Sequence, residues 1–66
     1  MSVAKTIEIT ATSRKSFDDA MRGGLKTAGK TLKNIQGAWI QDQEVVVAAS
    51  KITEYRVRTR VTFVLE

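Results

Sequence analysis

The closing stretch of the chain, Ile52 to Glu66, reads ITEYRVRTRVTFVLE and alternates strictly. Tyr55, Val57, Val61, Phe63 and Leu65 fall on one parity, and Glu54, Arg56, Arg58, Arg60 and Thr62 on the other. A period of two, rich in β-branched and aromatic residues and free of Gly and Pro, predicts a long strand over residues 52–66. Such a strand gives its sheet one apolar face that must be covered and one face carrying a row of arginines. Every earlier segment has to serve one of these two faces.

Cover is scarce in a chain of 66 residues, because small domains bury proportionately little surface. Chains of this size need disulfides, a metal or oligomerisation. The sequence has no Cys and no His, which removes disulfides and the usual zinc sites. Oligomerisation is the support left, and no metal is expected. With 42% hydrophobic and 27% charged residues, the composition is that of one folded domain, residues 1–66. No apolar run approaches the roughly 20 residues of a membrane span. The opening MSVAKTIEIT lacks a signal-peptide core, so the expected location is the cytoplasm and no membrane partner is expected.

Residues 3–12 alternate as well, with Val3, Ile7, Ile9 and Ala11 on one parity and Thr6, Glu8 and Thr10 on the other. From Phe17 the spacing becomes helical: Phe17, Met21, Leu25, Ala28, Leu32 and Ile35 form one stripe, with Ala20 and Gly24 beside it. A helix over 14–34 is predicted. Ser13 or Ser16 can cap it, Ser16 with Asp19 in the manner of a capping box, and Asn34 can end it. Asp18 and Asp19 near its start, and Lys26, Lys30 and Lys33 toward its end, complement the helix dipole. Gly23 and Gly24 inside it should each cost about 1 kcal/mol relative to Ala, and close packing on the sheet is the reading for both. Residues 37–48 read as the next strand, with Ala38, Ile40 and Val46 on one parity and Trp39, Gln41 and Gln43 on the other. The pattern blurs around Asp42 and Gln43, where a bulge is expected. Ala49, Ser50 and Lys51 turn the chain into the final strand.

The order is β-α-β-β. The helix makes strands one and two parallel through a right-handed crossover. If strand three slots between them, the sheet is wholly antiparallel with one helix on its apolar face, an α+β fold.

One helix covers one side of such a sheet. The other side carries, by parity, Thr6, Glu8, Thr10, Trp39, Gln41, Arg56, Arg58 and Arg60. Trp39 there is either a subunit contact or a stacking wall for a planar ligand. The arginines are either ion-paired with Glu8, Glu44 or Glu54 of the same or a neighbouring subunit, or form a phosphate-binding row. The formal net charge of +4 and pI near 9.9 also admit a polyanionic partner. Nucleic acid ranks last, because the arginines lie on the face that an oligomer encloses.

Residues 24–31 (GLKTAGKT) match the phosphate-binding pattern G-x-x-x-x-G-K-[ST]. That pattern works as a loop between a strand and a helix, whereas here it continues a helical stripe. It reads as a chance match. With no His or Cys, and with Asp18, Asp19, Asp42 and Glu44 placed as cap, turn and surface groups, no catalytic residue is expected.

In combination, several landmarks resemble the dodecin family. They are Lys5-Thr6-Ile7-Glu8 at the start, Thr12-Ser13-x-x-Ser16-Phe17 before the helix, and Lys30-Thr31-Leu32-x-Asn34 after it. Asp42-Gln43 and Tyr55-Arg56-Val57 with Val61-Thr62-Phe63-Val64-Leu65 complete the set. The resemblance implies a hollow homododecamer with helices outside and sheets lining the interior, storing or buffering flavins such as riboflavin and FMN, with coenzyme A bound in some members. In those proteins a Trp soon after the helix stacks on the flavin. Its position here is Gly37, and Trp39 follows two residues later on the same face. A Gln that reads the flavin edge is replaced by Arg56, while Asp42 matches a position that contacts the flavin side chain. The resemblance thus implies Trp39, Asp42 and Arg56 as ligand residues, and Gln41 and Arg58 of the uncovered face are candidates beside them. A shell of the same fold without flavin, taking coenzyme A, another phosphate-bearing ligand or an ion, is the alternative it leaves.

Overall fold

The computed structural model describes residues 3–65, with β1 (Ala4–Ser13), α1 (Phe17–Ala28), β2 (Ile35–Ala48) and β3 (Lys51–Val64) in chain order. Glu66, the end of the predicted last strand, lies outside the described residues. The sheet order is β1-β3-β2, and β3 is antiparallel to both neighbours. This is the expected topology. It explains the strict alternation of β3, the one strand hydrogen-bonded on both edges. Val57 and Val61 are fully buried and Thr59 nearly so. Thr59 breaks the apolar pattern without leaving an unpaired hydroxyl, because its Oγ1 donates to the Trp39 carbonyl at 2.6 Å.

The helix is shorter than its apolar spacing suggests. Ser16 is the N-cap, extended at φ −171°, with its Oγ accepting from the Asp19 amide at 2.9 Å. The Asp19 carboxylate does not complete a capping box. It accepts from Ser13 Oγ at 2.6 Å instead, and Ser13 Oγ accepts in turn from the Lys15 amide at 2.9 Å. The helix ends at Ala28. The Lys30 and Thr31 amides donate to the Thr27 and Ala28 carbonyls, tightening the chain into a last turn that satisfies the helix's free acceptors. Lys30, Leu32 and Lys33, predicted as helical, therefore lie beyond it, as does Ile35, the last residue of the apolar stripe. Asn34 does not stop the helix. It adopts a left-handed φ of 60° and steers the chain into β2, its carbonyl accepting from the Val64 amide.

Gly24 sits where α1 crosses β1: a Cβ added there would lie 2.8 Å from that of Ala11. Close packing is thus the reason for this glycine. It is not the reason for Gly23, where an added Cβ meets nothing within 4 Å. Phe17 at the helix start packs edge-on against Tyr55 of β3, ring centroids 5.2 Å apart.

The strand β2 carries the main departures from simple alternation. Its pairing with β3 shifts between Ile35 and Gly37, between Ile40 and Asp42, and between Val46 and Val47. The middle shift makes Gln41 an extra residue, one position before the expected bulge. Beyond it, Asp42 and Glu44 oppose Arg58 and Arg56, while Gln43 opposes Val57. Gln43 therefore does not share a face with Trp39, and Val46, opposite Glu54, does not share one with Ile40.

The helix packs chiefly on β1 and β3 and leaves β2 largely uncovered. Ile40 and Val45, on the helix side of β2, are exposed. Among the described residues only Ala20, Val57, Val61 and Thr59 are buried. The chain measures 51 × 19 × 14 Å with a radius of gyration of 13.5 Å, against about 11 Å for a compact chain of this length. The β2–β3 hairpin projects past the helix, and its two-residue turn places Ala49 at φ 52° and Ser50 at φ 62°. Both angles belong to a type I′ turn, which favours Asn-Gly.

Two stability measurements follow from this packing. Gly24→Val should lower the unfolding free energy by about 1–3 kcal/mol through overpacking against Ala11. Replacing Ala49-Ser50 by Asn-Gly should raise it by about 1 kcal/mol by relieving the left-handed strain.

Candidate functional site

The face turned away from the helix is built by three strands whose registers bring chosen side chains into lines. Glu8, Thr10 and Thr12 of β1 stand opposite Arg60, Arg58 and Arg56 of β3. On the other side of β3, Trp39, Asp42 and Glu44 of β2 stand opposite the same three arginines. Gly37 lies two residues before Trp39, opposite Thr62, with open space where a side chain would be. The sequence expectation that Trp39 shares the arginine face therefore holds. Its side chain is not packed away, since Trp39 is 53% exposed.

The bulge at Gln41 decides the electrostatics. Without the extra residue, continuing the register from Trp39 and Arg60 would set Gln41 and Gln43 opposite Arg58 and Arg56. With it, two carboxylates take those positions. Arg58 Nη1 donates to Asp42 Oδ1 at 2.7 Å and Arg58 Nη2 to Glu44 Oε1 at 2.6 Å. Arg56 Nη1 donates to the same Glu44 oxygen at 3.2 Å. Two acids and two guanidinium groups form one chain with no net charge. The Arg58 and Arg56 guanidinium groups hold the Glu44 carboxyl below its ordinary range, and Asp42 with Glu44 raises Arg58 above its own.

Arg60 is placed differently. Its Nε donates to Gln41 Oε1 at 3.0 Å, and no carboxylate among the described residues bridges to it. Of the ion-pair partners expected from sequence, Glu44 is used, whereas Glu8 and Glu54 make no bridge among the described residues. Alternation alone predicts neither Asp42 as an arginine partner nor Arg60 as the distinct member of the row. Both follow from the bulge.

The five expected ligand residues gather on this face. Trp39 and Gln41 lie beside Arg60, and Asp42, Arg56 and Arg58 lie in the ion-paired chain. The P-loop-like stretch plays no part. Gly24 to Ala28 are helical, and the amides of Gly29, Lys30 and Thr31 are spent on the Leu25, Thr27 and Ala28 carbonyls. Among the described residues no three His, Cys, Asp or Glu side chains gather to hold a metal ion, and no helix is long and apolar enough to cross a membrane.

The sequence profile described as Dodecin matches residues 3–66. No curated protein sequence matches the chain. Among solved structures, the dodecin from Streptomyces davaonensis superposes with a TM-score of 0.94 at 25% identity, covering 98% of this chain and 96% of its own. An arginine-to-alanine variant of the Thermus thermophilus dodecin does so with a TM-score of 0.94 at 27% identity, covering 100% and 98%. The dodecin from Streptomyces coelicolor shares the fold, with a TM-score of 0.94 at 20% identity over 98% of this chain and 93% of its own.

The lowered Glu44 pKa gives a signed pH dependence. A carboxyl depressed by folding stabilises the folded state above its unfolded value, about 4.3, and that contribution disappears as pH falls through the lower folded value. Denaturant midpoints should thus be higher for the parent than for Glu44→Gln at neutral pH. The gap should close on acidification below about pH 4.

Proposed function

The chain belongs to the dodecin family of non-catalytic flavin-binding shells, and from that premise we propose that its open sheet face is the flavin site. The protein is not an enzyme, and flavin is its cargo rather than its reagent. Trp39 is the stacking wall. A large indole, 53% exposed on a polar sheet face beside the open surface at Gly37, supports this reading more than any other observation.

Around that wall the neighbouring side chains divide the polar work. Gln41 has both a donor and an acceptor and can read the edge of a flavin ring, a two-way role that Arg56 cannot take because a guanidinium only donates. Arg56 and Arg58, already held by Glu44 and Asp42, keep donors for the polar edge or the ribityl hydroxyls. Asp42 retains acceptor capacity beyond its bond to Arg58 and serves the ribityl chain. The homododecameric shell stores or buffers flavin in the cytoplasm.

Coenzyme A, a phosphate-bearing cargo, is the second reading. It is favoured by Arg60, whose terminal guanidinium nitrogens bond none of the described residues and suit a phosphate. Nucleic acid is disfavoured by the same geometry, because Asp42 and Glu44 neutralise two members of the row instead of leaving a cationic stripe.

Flavin fluorescence tests the site. Adding protein to riboflavin or FMN should quench strongly in the parent, and Trp39→Ala should weaken binding about tenfold or more, in line with aromatic stacking on a planar ring. Quenching by parent and Trp39→Ala alike would reject Trp39 as the wall.

A further inference from the structure

The arginine row is not uniform. Arg56 and Arg58 lie beyond the Gln41 bulge, where the shifted register supplies Glu44 and Asp42. Arg60 lies before it, where the register supplies Trp39 and the bulge supplies a neutral amide. Directly opposed residues on antiparallel strands have Cβ atoms about 4.5–5.5 Å apart. The one guanidinium of the row without a carboxylate bridge among the described residues is thus the nearest cross-strand neighbour of the exposed indole. Gln41 occupies its Nε, which leaves both terminal nitrogens, the fork that suits a phosphate, free of bonds to the described residues. Glu8, its register partner on β1, forms no bridge with it.

We propose that Arg60 is the specificity-determining residue of this face, taking the phosphate of a ligand whose planar ring lies on Trp39, so that FMN is bound in preference to uncharged riboflavin. The proposal rests on the flavin reading above and adds a charge requirement to it. The carboxylates set the contrast: Asp42 and Glu44 bridge Arg58 and Arg56, so the one guanidinium of the row that carries no carboxylate bridge among the described residues is Arg60, although Glu8 is its register partner. A ligand with one anionic group matches that arrangement, while a neutral flavin leaves Arg60 without an anion.

The test is a pair of titrations at low salt, riboflavin and FMN, on the assembled parent, Arg60→Gln and Arg60→Lys. The parent should bind FMN about fivefold more tightly than riboflavin, as an exposed ion pair allows. That preference should shrink as salt is added. Arg60→Gln should lower FMN affinity to that of riboflavin and leave riboflavin unchanged, while Arg60→Lys keeps part of the preference. The salt series needs only the parent, so the proposal stays testable if a variant fails to assemble. Equal affinities in the parent, or parallel loss of both ligands in Arg60→Gln, would overturn the role of Arg60 and leave flavin binding standing. Failure of both flavins to quench with the parent would overturn the flavin reading, and this proposal with it.

Discussion

A helix too short for its sheet sets the terms for this protein. Twelve helical residues span about 18 Å, whereas the 14-residue strands β2 and β3 each span about 46 Å. The helix therefore seals only the part of β1 and β3 that it crosses, where Val57, Val61, Thr59 and Ala20 are buried. Ile40, Val45, Val47 and Ile52 are left exposed along the β2–β3 hairpin. A core this small does not offset the conformational entropy of ordering more than sixty residues. The dodecin fold assembles as a dodecamer, and the single chain shows why it must. The missing cover is supplied by other copies.

Assembly and the open sheet face are linked through β3. Its odd-numbered side chains build the core and its even-numbered ones build the arginine face, so each folded subunit presents the row in a fixed register. The bulge at Gln41 then edits the charge on that face. One extra residue exchanges two glutamines for two acids opposite the row and converts a cationic stripe into a neutral ion-paired chain with one guanidinium set apart beside Trp39. The buried Thr59 hydroxyl holds the backbone at that point through the Trp39 carbonyl, so the same short segment carries the indole, the bulge and the charge boundary.

Much of this was legible in the sequence because period two is a strong signal. The parity of β3 and β1, the antiparallel order and the position of Trp39 on the uncovered face all follow from it. Identifiable physical causes carry other residues away from simple periodicity. Leu32 and Ile35 continue the helical spacing, but the turn at Gly29 to Thr31 and the left-handed Asn34 carry them out of the helix. Parity also fails across a bulge, so simple alternation puts Gln43 and Val46 on the wrong faces and hides Asp42 as a partner of Arg58. The glycine pair divides likewise: Gly24 is dictated by Ala11, whereas nothing within the subunit requires Gly23.

The central claim is that the subunit folds only as part of its shell. Chemical unfolding at several protein concentrations, followed together by far-UV circular dichroism and by sedimentation, tests it most directly. The account predicts that strand structure and the assembled species are lost together, at a midpoint that rises with protein concentration. A folded monomer that keeps its sheet after the shell has dissociated would contradict it.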